Sequence, residues 1–139
     1  MSISYDEVQN HLYQLEFEVD KYVLDDFWYF LQEQEFTKEH IVFYPKGIFT
    51  EKGISSYYFF TENSIIEILF ADEPIINFWK YEQLSNYRLK FLNRFDLELE
   101  IKLKDKSNIV LNSEKDTNEH RHTTMKKKIY SILEILNEL

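Results

Sequence analysis

The chain has 139 residues, 44% hydrophobic and 29% charged, with a formal net charge of −9 and no cysteine. That length fits one domain with its own core, the composition excludes a disordered tail, and the missing thiols exclude disulfides and thiolate sites. The charge is uneven: residues 1–40 hold ten acidic side chains and two lysines, a balance of −8, so nucleic acid and anionic lipid are repelled from this end.

The first residues, Met1-Ser2-Ile3-Ser4, have neither the basic start nor the apolar run of a signal peptide, and a cytoplasmic protein is expected. Apolar runs are only a few residues long, as at Tyr57 to Phe60, so no spanning helix and no integral membrane segment is expected. The chain is rich in Ile, Lys, Asn, Phe and Tyr and holds a single alanine, Ala71. That bias resembles AT-rich coding, so its 17% aromatics do not by themselves imply a ligand-stacking surface.

Ser4-Tyr5-Asp6-Glu7 has the form of a capping box, whose serine and glutamate satisfy the first orphan amides of a helix. Val8, Leu12, Leu15, Val19, Tyr22 and Val23 follow at helical spacing, with Phe30 near the same stripe. Tyr13, Phe17, Leu24, Trp28 and Leu31 form a second apolar stripe roughly opposite. A helix apolar on two sides is sandwiched, kinked near residues 20–26, or offers one side to a partner. Phe17, Leu24 and Trp28 are therefore expected to contact a partner, a second copy or the sheet. Asp26 falls within the first stripe of an unbroken helix, where it is either a paired or catalytic carboxylate or a cap at a kink.

From His40 the texture becomes short β-rich runs, with strands expected near 41–44, 47–51, 54–61, 64–70, 76–83, 86–94, 95–104 and 108–112. Asp72-Glu73-Pro74 separates two of them, since proline cannot donate to a ladder. The clearest segment is 95–111. Phe95, Leu97, Leu99, Ile101 and Leu103 alternate with polar residues, a turn follows at Asp105-Lys106-Ser107-Asn108, and Ile109 and Leu111 continue the apolar face. Residues 114–122 are polar throughout and read as a loop. Met125, Ile129, Ile132, Leu133 and Leu136 then mark one face of a closing helix.

The expected architecture is α+β: an acidic helical region over 1–36, an antiparallel meander over 41–113, and a closing amphipathic helix over 117–139. All three belong to a single domain, and the meander forms a barrel or a strongly bent sheet.

Few motifs carry chemistry. Gly47 and Gly53 are isolated, which excludes a Gly-rich phosphate loop, and neither a Gly-x-Ser-x-Gly elbow nor a His-Glu-x-x-His helix occurs. His120 and His122, beside Glu119, are the nearest approach to a metal pair, but two ligands without a third make a poor zinc site; His11 and His40 stand alone. No metal, cofactor or catalytic residue is expected. Arg88, Lys90 and Arg94 share one strand face and are the candidates for an anion site. The competing reading pairs them across the sheet with Glu98 and Glu100.

The strand order, the Leu97–Leu111 hairpin and the Met125–Leu136 helix together resemble a bacterial pleckstrin-homology-like domain over residues 41–139. The whole chain also resembles small bacterial families of unassigned function. The first resemblance implies a noncatalytic binding scaffold. The sequence departs from its phosphoinositide-binding members, which carry a basic cluster at the first hairpin, where this chain has only Lys46 and Lys52 around Glu51. It also lacks a tryptophan in the closing helix, since Trp28 and Trp79 lie elsewhere. The expected function is a binding or adaptor module with a protein partner or a second copy of itself. The alternatives are an acidic inhibitor or immunity-type protein for a basic partner, and a ligand-binding or enzymatic pocket in the sheet.

Overall fold

A computed structural model describes residues 4–14, 21–37, 42–70, 73–94, 96–118 and 120–139. The fold is α+β, with two antiparallel sheets and three α-helices. Helix α1 (Tyr5–Gln14) starts as the capping box requires, with the Glu7 amide donating to Ser4 Oγ at 3.2 Å. Helix α2 covers Lys21–Glu33, so the described residues hold two shorter helices where one long helix was expected.

Strands β1 (Val42–Lys46), β2 (Ser56–Phe60), β3 (Ser64–Phe70) and β4 (Pro74–Lys80) form a four-stranded sheet in that order. Strands β5 (Leu84–Asn93), β6 (Asp96–Leu103) and β7 (Asn108–Asn112) form a second, three-stranded meander. Helix α3 (His122–Asn137) buries Met125, Ile129, Ile132 and Leu136, the face its spacing marks out. The sheets do not close into a barrel. Lys46 of β1 bridges instead to β7, its ammonium donating to the Val110 carbonyl at 2.6 Å.

Strand β2 is buried along its whole length because both faces of the first sheet are covered. On one face, Tyr5 of α1 packs on Phe43, Tyr57 and Phe59, and Phe27 of α2 packs edge-on to Phe70. On the other face, Tyr44 and Trp79 reach the second sheet, with Trp79 Nε1 donating to Asp105 in the β6–β7 turn at 2.9 Å. A strand covered on both faces loses its period-two signature, and Tyr57-Tyr58-Phe59-Phe60 is continuously apolar for that reason.

The expected strand at 47–51 is absent; those residues turn. Gly47 (φ 92°) and Phe49 (φ 64°) are left-handed, which no ladder accommodates, and Ile48 plugs the core from the turn. Pro45 lies within β1, tolerated because β1 is an edge strand, and Pro74 opens β4. The β6–β7 hairpin forms as its alternation requires, with Leu97, Leu99, Ile101, Leu103, Ile109 and Leu111 all buried.

Candidate functional site

The densest polar cluster lies where the first sheet meets the loop after β7. Asp116 and Asn112 are buried there, as are Ser113 and Asp96. Tyr44 Oη donates to Asp116 Oδ2 at 2.7 Å, and the Asn112 amide donates to the same oxygen at 2.7 Å. The Asp116 carbonyl accepts from the Gly47 amide at 2.8 Å, which ties the β1–β2 turn into the cluster. Asp96 Oδ1 accepts from Ser113 Oγ and from the Glu114 amide, both at 3.3 Å. Burial, opposed by the Asn112 amide and the Lys46 charge, holds the Asp116 carboxyl above its ordinary range. The Tyr44 phenol is pushed well up by burial and then by Asp116 itself.

The hydrogen bonds of this cluster run to other parts of the chain, so its chemistry is that of a clasp between sheets. A second buried group behaves likewise. Glu67 accepts from Tyr58 Oη at 2.6 Å and from Asn77 Nδ2 at 3.0 Å, fastening β2, β3 and β4 side by side.

The sequence missed the clasp. The alternation puts Asp96 on the wet face of the hairpin, Asn112 at the end of the 108–112 strand, and Asp116 in the polar loop over 114–122. A polar residue in a polar run carries no periodic signal, and Asp116 meets Tyr44 only through tertiary folding.

The exposed surface is distinctive on α2. Leu24, Phe27, Trp28 and Leu31 face the core, with Trp28 only 2% exposed. The opposite side presents Tyr22 (81% exposed), Tyr29 (68%), Val23 and Phe30, with Asp26 and Glu33 among them. Leu24 and Trp28 therefore pack into the chain's own core, and the exposed apolar side of the helix is the opposite one. Phe17 lies outside the described residues. Asp26 is exposed on this outward side, not buried in an apolar stripe.

Arg88 and Lys90 pair across the sheet. Arg88 Nε lies 2.6 Å from Glu100, and Lys90 Nζ lies 3.2 Å from Glu100 and 3.6 Å from Glu98. Arg88 beside Glu100 holds that carboxyl below its usual range. Arg94 is exposed at the far end of the same hairpin, beyond β5.

His120 is exposed and His122 half-buried at the start of α3, while Glu119, His40 and the His11 side chain lie outside the described residues. Among the described residues no group of three histidine or carboxylate side chains could hold a metal ion. Lys46, one of the two basic residues of the first hairpin, is committed to Val110.

Two open grooves accompany these features. One, about 460 Å³, lies between α1 and α2 and is lined by Tyr5, Asp6, Gln9, Gln32 and Thr37. The other, about 320 Å³, lies between the β2–β3 turn and the end of α3, with Phe60, Thr61, Glu62, Ile135, Glu138 and Leu139. Neither lining places a histidine or lysine beside a nucleophile. No helix is long and apolar enough to cross a membrane among the described residues.

Searches of curated proteins and of solved structures found no match. A family model described as a protein of unknown function (DUF3908) matches residues 31–127, which run from the end of α2 through both sheets into α3, and the chain belongs to that family.

Proposed function

We propose that this protein is a noncatalytic protein-binding module that presents the outward side of α2 to a partner with a basic surface. The observation that carries the reading is the exposure of Tyr22, Val23, Tyr29 and Phe30 on one helix side, interleaved with Asp26 and Glu33. Tyrosine supplies a large contact area at low entropic cost, and aromatic side chains dominate binding energy at interfaces. The surrounding field is acidic, because ten of the first 40 residues are acids against two lysines. Such a field speeds encounter with a basic surface and disfavours acidic competitors.

The scaffold supports a passive role. Its buried polar groups hold the two sheets together, and a pleckstrin-homology-like reading is supported by sheets of four and three strands with one closing helix. In this reading the module works in the bacterial cytoplasm. The same acidic surface favours a second, narrower version, in which the module inhibits a basic enzyme by covering it.

A photo-crosslinking residue placed at Tyr29 in cells tests the reading. We expect an adduct with a basic protein that disappears in a Tyr22→Ala, Phe30→Ala background, and whose yield on repeating the crosslinking in lysate falls as salt rises. Position 29 capturing no more than a probe at exposed Lys106 sinks the proposal. If the captured protein is an enzyme, loss of its activity on adding the purified module separates inhibitor from adaptor.

A further inference from the structure

Two sheets have four outer strands, and three of the four edges are guarded. The β1 edge is met by α3, where Lys128 Nζ donates to the Phe43 carbonyl at 2.6 Å. The β7 edge is met by Lys46, whose ammonium reaches the Val110 carbonyl. Strand β5 carries Arg88 and Lys90 and two register shifts, at Leu84/Asn86 and at Phe91/Asn93, which are the charges and bulges that blunt an edge.

Strand β4 has no bulge along its length and no charge between its two ends. It pairs with β3 in unbroken register from Ser64↔Lys80 to Phe70↔Pro74, and β3 is its only strand neighbour among the described residues. Between Pro74 at its start and Lys80 at its end lie Ile75, Ile76, Asn77, Phe78 and Trp79, none of them charged. Ile75 is 41% exposed and Phe78 57% exposed. A regular, uncharged, apolar edge is a template for another strand.

We propose that β4 pairs antiparallel with β4 of a second copy, about a twofold axis through Asn77, joining two four-stranded sheets into one of eight strands. The order of side chains supports this occupant. Pairing about Asn77 sets Ile76 opposite Phe78 of the second copy on one face, and Ile75 opposite Trp79 of the second copy on the other. Apolar meets apolar in both of these pairs, Pro74 falls opposite Lys80 of the second copy at the ends, and the two Asn77 side chains meet at the axis, on the face where each chain's Asn77 donates to its own Glu67. Each chain carries −9, so two copies repel, and an uncharged strand is where they approach at least cost. A basic partner gains nothing from such a strand. This interface is independent of the α2 surface and has the opposite salt response, because screening strengthens self-association and weakens binding to a basic protein.

Sedimentation equilibrium up to roughly 1 mM, the weak end of specific association, tests the pairing. We expect a dimer that tightens with added salt, and at least a tenfold weaker one in the Ile75→Lys, Phe78→Lys variant. The absence of native cysteine allows a second measurement. Asn77→Cys places two thiols across the axis at strand-pair distance and is expected to crosslink on mild oxidation far faster than Lys106→Cys. A chain that stays monomeric throughout the range overturns the proposal, as does Asn77→Cys crosslinking no faster than the control.

Discussion

Tyr44 Oη lies 2.7 Å from Asp116 Oδ2, and this hydrogen bond joins the first strand of one sheet to the loop leaving the last strand of the other. The Asn112 amide donates to the same oxygen, so a single acceptor atom serves both donors. Asparagine can present its carbonyl oxygen in that place, whereas alanine cannot. Asp116→Ala is expected to cost about 1–3 kcal/mol by stranding the buried Asn112 amide, since Tyr44 Oη keeps the Asn112 carbonyl at 3.3 Å. Asp116→Asn is expected to retain the fold at neutral pH. Urea unfolding of the two variants checks the difference.

The same carboxyl makes a pH prediction. Burial raises its proton affinity in the folded state, so the native chain binds that proton more tightly than the unfolded one. Its contribution to stability is full below the ordinary aspartate range and is lost as pH rises through the raised folded value. Asp116→Asn is expected to flatten that decline. Urea midpoints of wild type and variant, followed from acidic to neutral pH, should converge at the acidic end and separate as pH rises.

Gly47 stands where a side chain has no room. Its φ is 92°, and a Cβ would meet the Gly53 carbonyl oxygen at 2.5 Å, a backbone atom that cannot swing aside. Gly47→Ala is expected to destabilise by about 2–4 kcal/mol, combining left-handed strain with displacement of the turn. Because the Gly47 amide also donates to the Asp116 carbonyl, near-ultraviolet dichroism of Tyr44 and its neighbours should change along with the unfolding midpoint.

These residues mark where the sequence was legible. The β6–β7 hairpin and α3 could be read because each buries one face, and a single buried face imprints its period. The turn at 47–51 was read as a strand because Ile48 and Phe49 are apolar, and apolar character does not report φ. The two apolar stripes of the first helical region were both visible. Which one packs was not, because that depends on Phe27 and Phe70 meeting across elements. Asp116 and Tyr44 are 72 residues apart, beyond the reach of any local pattern.

Lys128 predicts a rise in stability on the alkaline side. Burial between α3 and β1 pulls its amine down to about 8, so below that pH the fold carries the cost of a desolvated ammonium. As pH climbs from there towards the ordinary lysine value, the folded chain has already released the proton and the cost disappears. The buried phenols act oppositely. Tyr44, Tyr57 and Tyr58 are raised by burial and Tyr81 is pushed up to about 12, so their stabilisation is lost as pH rises beyond the ordinary tyrosine range. Urea midpoints are expected to rise above about pH 8 and fall beyond about pH 10. Lys128→Met should abolish the rise and keep the fall.

The last prediction separates two neighbouring aromatics on α2. Trp28 packs at 5.1 Å from the Phe27 ring inside the core, while Tyr29 points outward and is 68% exposed. Trp28→Ala removes the largest side chain of the helix from a site with little freedom to collapse, and is expected to cost about 3–5 kcal/mol. Tyr29→Ala exchanges an exposed ring for a better helix former and is expected to change stability by less than about 0.5 kcal/mol. A charged residue at Trp28 should therefore unfold the protein rather than only break an assembly. The same charge at Tyr29 should leave the urea transition in place and remove partner binding. Unfolding curves of Trp28→Ala and Tyr29→Ala that coincide would place Trp28 outside the core and return it to the surface.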